Sequence, residues 1–231
     1  MRILLVGHGK MGRLIRELAP QYEGEVVGIV DPQLKDPLAG GLDDPRWSQA
    51  DVAIDFTMPD AVMGNVTALA GRGLNIVLGT TGWQSHQGEL KAAVAKAGTG
   101  IVAAPNFSTG VVLFEAMVAH AAGLLATQGE FGAWLHEVHH AMKKDAPSGT
   151  ALKLKQAMEA AGYSRPIDVA ASRVGFVPGT HTIGFDGPSE SITLTHTARD
   201  RSAFARGALQ AARWLGQRRG WFDMQDVLGL R

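Results

Sequence analysis

Between His136 and Met158 the chain reads HEVHHAMKKDAPSGTALKLKQAM, which sets three histidines, a glutamate and two lysines immediately before an Asp-Ala-Pro-Ser-Gly-Thr turn. Two chemistries fit such a set. The first five residues satisfy H-E-x-x-H, in which His136 and His140 bind zinc and Glu137 acts as base. The remainder reads as an anion site: Ser148, Gly149 and Thr150 open a helix whose free backbone N–H groups and hydroxyls can hold an anion, and Lys143 offers a charge and a transferable proton. The zinc reading requires a helix, because only there do positions i and i+4 share a face. Here AWLHEVHH alternates like a strand, the chain then enters a proline-glycine turn, and no nearby G-x-x-H supplies a third ligand. No metal is therefore expected.

A second set lies at the start of the chain, where VGHGKMG supplies Gly7, Gly9 and Gly12 in G-x-G-x-x-G order, directly after an apolar strand and at the head of a helix. Such glycines permit a tight turn and bring backbone N–H groups close to a pyrophosphate, so Gly7, Gly9, Lys10, Met11 and Gly12 are the expected dinucleotide loop. Asp31, at the end of the second strand, is spaced to accept hydrogen bonds from the adenosine ribose. Its charge favours NADH, whereas Lys10 and Lys35 could each reach a 2′-phosphate, so either NADH or NADPH is compatible with these residues. Strand-end positions add Phe56 and Thr57, Gly79, Thr80 and Thr81, and Ala104, Pro105, Asn106 and Phe107 as contacts for nicotinamide and its ribose.

The elements that must carry these residues follow from hydrophobic period. RILLV, EVVGIV, DVAIDF, NIVLGT and IVAAP are short apolar strands, alternating with helical patterns such as Met11, Leu14, Ile15 and Leu18 or the stretches 60–70 and 85–97. Five strands so spaced predict an α/β fold, a doubly wound parallel sheet of the Rossmann type. Beyond Pro105 the texture changes to a long, largely buried helix (STGVVLFEAMVAHAAGLLA), then the AWLHEVHH strand, the helix opened by APSGT, and the β-type runs VAASRVG, GTHTIGF and SESITLTHT. That order predicts a second, α+β domain with an antiparallel or mixed sheet. The boundaries expected are a dinucleotide domain at 1–106, a second domain at 107–200, and a helix within 201–231 returning to the first.

Composition restricts the partners. The 231 residues carry 22 basic and 22 acidic side chains, so no overall field favours nucleic acid or an anionic membrane, and a small molecule is the expected partner. The absence of cysteine excludes disulfides and thiolate chemistry, and no apolar run approaches a signal peptide core or a membrane span. A cytoplasmic protein is expected.

With VGHGKMG, DFTMP, GTTG, APNFSTG and HHAMKKDAPSGTA in view, the sequence resembles the 4-hydroxy-tetrahydrodipicolinate reductase family, known in older usage as dihydrodipicolinate reductase, over nearly its whole length. The resemblance implies reduction of a cyclic imine or its hydrated form bearing two carboxylates, by hydride transfer from a nicotinamide, in diaminopimelate and lysine biosynthesis. It implies His139 as general acid, His140 and Lys143 as substrate contacts, Arg201 as the clamp on the second carboxylate, and a homotetramer built through the second domain. Between His139 and Lys143 the residues alone leave the proton donor open, and neighbouring strand residues such as His139 and His140 face opposite ways unless the strand has ended. The glycine loop is one residue shorter than in many members, with Lys10 in place of an arginine, and the stretch between Val30 and Asp51 is abbreviated. Two other readings stay in view: a non-catalytic dinucleotide sensor, and a related dehydrogenase acting on another small dicarboxylate.

Overall fold

Strand β1 (Arg2–Val6) is an uninterrupted apolar run, and Ile3 to Val6 are fully buried because helices cover both faces of the sheet they enter. It is followed by α1 (Lys10–Leu18), β2 (Glu25–Val30), β3 (Val52–Asp55), α2 (Val62–Gly71), β4 (Asn75–Leu78), α3 (Gln87–Ala97) and β5 (Gly100–Ala103). Then come α4 (Thr109–Leu125), β6 (Gly132–His139), α5 (Gly149–Ala160), β7 (Ile167–Arg173), β8 (Thr180–Asp186), β9 (Ser191–Thr197), α6 (Ser202–Leu215), β10 (Gly220–Phe222) and α7 (Met224–Val227). The computed structural model describes all 231 residues, which form two units, residues 1–109 with 202–231 and residues 110–201.

In the first unit six parallel strands run in the order β10-β5-β4-β3-β1-β2. One face, with Leu4, Val6, Ala53, Ile76 and Leu78, packs on Val62, Val66 and Leu69 of α2 and Leu90 and Val94 of α3. By the strand pleat, Ile3, Leu5, Ile54 and Val77 turn to the opposite face, where α1 and α6 pack together. The doubly wound parallel sheet is as expected, with one strand more than the five read from sequence. The sixth, β10, is three residues long and opens on a glycine, too short a pattern to separate from a loop. No α-helix joins β2 to β3, only a short 3-10 turn over Pro45–Gln49, whose Trp47, buried and donating from Nε1 to Gly41 O at 2.6 Å, fills the space under β2.

The second unit is a four-stranded mixed sheet, β7-β6-β8-β9, in which β6 and β7 are parallel across the α5 connection and the other pairs are antiparallel. Its core joins Ala133, Leu135, Ile183 and Phe185 of the sheet to Phe114, Val118 and Ala122 of α4 and Ala151, Leu154 and Met158 of α5. The expectation that α4 is largely buried is corrected: Val111, Val112, Phe114, Val118 and Ala122 are buried, but Leu113, Met117 and Leu124 are exposed. Apolar residues on every side hide the difference between the face turned to a core and the one turned away.

Candidate active site

The order of the parallel sheet reverses at β1, with β2 on one side and β3 on the other, and crevices at such points outside the carboxyl ends of strands take ligands. A cleft of about 420 Å³ lies there, lined by Gly9, Lys10 and Met11 after β1, Phe56 and Thr57 after β3, and Gly79, Thr80 and Thr81 after β4. The loop needs its glycines. Gly7 has φ +88° and a Cβ there would lie 2.5 Å from Phe56 O, while a Cβ on Gly12 would strike the Gly7 carbonyl. A Cβ on Gly9, the N-cap of α1, would meet nothing within 4 Å and would project into open space in front of the helix N-terminus. That space fits a pyrophosphate held by backbone N–H groups.

Asp31 accepts from His8 N at 2.8 Å and Gln33 N at 2.9 Å, which hold its carboxyl below the usual range and fasten the glycine loop to the end of β2. Each oxygen keeps a further lone pair for a hydroxyl. Thr57 and Thr80 line the cleft, but their hydroxyls are engaged below it: both donate to Asp55 Oδ1, at 2.7 and 3.0 Å, and Thr80 Oγ1 also accepts from Thr57 N. Asn65 Nδ2 donates to Asp55 Oδ2 at 2.9 Å. Asp55, a fully buried carboxyl whose pKa is raised by that burial, is therefore the tie under the cleft floor, a role sequence reading missed. At the end of β5, Ala104 and Phe107 are buried, Pro105 is exposed, and Asn106 Oδ1 caps the chain by accepting from Ser108 N at 2.8 Å. Phe107 packs edge-on against Phe56, 6.0 Å between ring centres.

In the second unit the pleat of β6 decides which side chains meet. Ala133, Leu135, Glu137 and His139 share the buried face, while Trp134, His136 and Val138 turn to the other. His136 bonds Ser172 Oγ at 2.9 Å, away from Glu137, so H-E-x-x-H forms no zinc site here. Strand β6 ends at His139, which frees His140 from the alternation; its Nδ1 is buried without a hydrogen-bond partner. The backbone turns at once, Lys143 N donating to His140 O at 3.1 Å. Lys143 Nζ then donates to both oxygens of Asp145, and Ser148 caps α5, its Oγ accepting from Ala151 N at 3.2 Å.

Glu137 joins these pieces. Its Oε1 accepts from Ser148 N at 2.9 Å and from Arg173 Nη2 at 2.8 Å, and its Oε2 lies against His139 Nδ1. Burial pushes the Glu137 carboxyl up, but the Arg173 guanidinium and the Ser148 N–H outweigh it and hold the pKa below its ordinary value. Burial lowers the pKa of His139, with Glu137 opposing the shift, and lowers that of His181, the cross-strand neighbour of Glu137, to about 4. Glu137, His139 and His181 could offer three ligand atoms within 4.8 Å of one another, but a dication there would sit beside the guanidinium already paired with the carboxylate. Arg201 is exposed in the turn before α6. Sequence reading missed Arg173 and His181 and weighed Glu137 only as a zinc-site base; the alternation of β6, which puts an acid on a core-facing position, was the available signal.

A glycine loop at the switch point of a doubly wound parallel sheet is the arrangement of dinucleotide-binding domains. Sequence profiles described as dihydrodipicolinate reductase, N-terminus, and dihydrodipicolinate reductase, C-terminus, match residues 1–107 and 110–228. The chain belongs to the dihydrodipicolinate reductase family. It is 38% identical to the 4-hydroxy-tetrahydrodipicolinate reductase of Laribacter hongkongensis, over 100% of this chain and 99% of that one. It is 42% identical to that of Myxococcus xanthus, over 89% of this chain and 80% of the relative. Among solved structures, a dipicolinate-bound dihydrodipicolinate reductase from Paenisporosarcina sp. TG-14 shares the fold, with TM-score 0.85 and 21% identity over 98% of each chain. A probable dehydrogenase from Thermotoga maritima shares it more distantly, with TM-score 0.63 at 12% identity over 98% of this chain and 92% of that one.

Proposed function

We propose that the residues described above carry out the NAD(P)H-dependent reduction of 4-hydroxy-tetrahydrodipicolinate to tetrahydrodipicolinate, the diaminopimelate and lysine pathway step for which the curated relatives are named. The bound nicotinamide supplies a hydride to a ring carbon; one proton is taken up and the hydrated substrate loses water. The first unit holds the cofactor, with the glycine loop at its pyrophosphate and Asp31 at the adenosine ribose. The second holds the dicarboxylate: the Ser148–Thr150 helix start takes one carboxylate, Arg201 the other, and the unpartnered Nδ1 of His140 is available to a ligand.

Lys143 delivers the proton in this reading. The observation that carries the assignment is the burial of His139, which lowers its pKa against the opposing Glu137 carboxylate and favours the neutral ring, while its Nδ1 is taken up by that carboxylate. His139 then acts through its other nitrogen as a hydrogen-bond acceptor to the substrate. Asp31 favours NADH, and the exposed Lys10 and Lys35 leave NADPH usable. A homotetramer in the cytoplasm completes the reading; no helix is long and apolar enough to cross a membrane.

The test is absorbance loss of NADH and, separately, NADPH, with substrate generated in place by the enzyme that condenses pyruvate with aspartate semialdehyde. Substrate-dependent oxidation, faster with NADH, is expected. Cofactor binding without turnover would move the assignment to a dinucleotide sensor, and turnover confined to another dicarboxylate to a different dehydrogenase.

A further inference from the structure

Glu137 touches three pieces of the second unit. It lies on a core-facing strand position where an apolar residue would pack without needing partners, and it is fully buried. Its two oxygens do different work. Oε1 takes the Ser148 N–H, the backbone group that sets the start of α5, together with Arg173 Nη2. Oε2 lies directly against His139 Nδ1 and 4.0 Å from His181 Nε2. Arg173 also donates to Asp145 O at 2.5 Å, so the same guanidinium braces the turn that carries Lys143.

We propose that Glu137 is a positioning residue for the reductase reaction: it fixes His139 in the Nδ1–H tautomer, leaving Nε2 as the acceptor, and anchors the Ser148 turn, with Arg173 as its counter-ion. A carboxylate oxygen beside Nδ1 selects the tautomer with hydrogen on that nitrogen, since a lone pair there would face a negative charge. The other nitrogen is left next to Gly179, where φ is +153° and a Cβ would lie 2.9 Å from His139 Nε2, so the missing side chain gives that edge of the ring its room. One carboxylate thus sets both the ring that meets the reacting centre and the helix start that holds a substrate carboxylate. The inference rests on the roles proposed for His139 and Ser148.

Glu137→Gln separates the two halves. An amide with its oxygen at the Oε1 position keeps the Ser148 and Arg173 bonds but turns an NH₂ toward His139 Nδ1, which forces hydrogen onto Nε2. With histidine ¹⁵N-labelled protein, and the His139 resonance identified by its loss in His139→Gln, the wild type is expected to show Nδ1–H and Glu137→Gln to show Nε2–H. In the assay Glu137→Gln is expected to lower kcat roughly 10- to 100-fold, the scale of losing a hydrogen bond that strengthens in the transition state, with substrate KM and NADH affinity little changed. Glu137→Ala loses the Ser148 anchor as well and is expected to raise KM in addition. A wild-type His139 carrying its hydrogen on Nε2 overturns the proposal, as does Glu137→Gln with unchanged kcat. Should the wild type bind NADH yet reduce nothing, the functional reading fails, while the two nitrogen spectra still decide whether Glu137 sets the ring.

Discussion

Lys143 Nζ donates to Asp145 Oδ1 at 2.7 Å and to Oδ2 at 2.9 Å, and the lysine is the less exposed partner, its side chain 22% accessible against 58% for the aspartate. The carboxylate holds the ammonium in place from the solvent side. The proposed proton donor is thus ordered before any ligand arrives, so little rotamer freedom remains to be lost.

Lys143→Ala is expected to lower kcat by about 10²-fold or more, the range of a general acid, and to leave the NADH dissociation constant within about twofold. Stopped-flow reduction and equilibrium NADH titration check the two halves. A parallel loss of cofactor affinity would count against the assignment. In the wild type, kcat is expected to stay level from about pH 6.5 to 8, because a His139 donor, its pKa lowered by burial from the ordinary 6.5, would be losing its proton throughout that range and give a falling rate.

His181 gives a stability prediction with a definite sign. Burial first, then the charge of His139, lowers its pKa from 6.5 to about 4, so the folded state favours the neutral ring. The unfolded chain takes up the proton first as pH drops, and the contribution present above about pH 6.5 is lost progressively toward pH 4, about 3 kcal/mol in all. The urea midpoint of the wild type should therefore fall more steeply over that interval than that of His181→Gln. Equal slopes would show that the ring does not stay neutral on folding.

Asp31→Ala is expected to weaken both cofactors, because it releases the His8 N–H that pins the glycine loop, and to weaken NADH more, because a negative charge opposing a 2′-phosphate goes with it. Paired dissociation constants for NADH and NADPH measure the ratio. An unchanged ratio would remove Asp31 from any part in cofactor choice.

Asp55→Ala leaves the Thr57 and Thr80 hydroxyls without their acceptor in a buried place, and reduces Thr57 N and Asn65 Nδ2 to one acceptor each, Thr80 Oγ1 and Thr57 Oγ1. A loss of about 2–4 kcal/mol in denaturant unfolding is expected, with weaker binding of both cofactors as the floor of the cleft relaxes. Ser148 and His139, in the other unit, keep their bonds, so the histidine ¹⁵N spectrum should not change.

The sheet of the first unit was legible because buried parallel strands are nearly continuous apolar runs, and the glycine loop because its spacing follows a strand and opens a helix. The second unit was legible as elements, from alternation in β6 and the Ser148 cap, but its chemistry was not. The alternation over His136 to His140 already read as a strand and not as metal ligands, but only the pleat put Glu137 with Leu135 and His139 and turned His136 away. Arg173 and His181 stood in strands 36 and 44 residues beyond Glu137 with no local signature, and only the register, His139 opposite Arg173 and Glu137 opposite His181, brings them together. Strand pairing is a non-local fact. The same holds for β10, whose three residues became a strand through pairing with β5.

The interrupted path of the first unit bears on how the chain is made. Residues 110–201 are continuous and can fold as soon as they leave the ribosome, whereas the parallel sheet waits for residues 202–222 to supply α6 on one face and β10 along the edge of β5. Until then a hydrophobic face and an unpaired strand edge stand open, the two features that draw nascent chains into aggregates or onto chaperones. The interval between the emergence of residue 109 and that of residue 222 therefore sets how long the dinucleotide fold remains vulnerable.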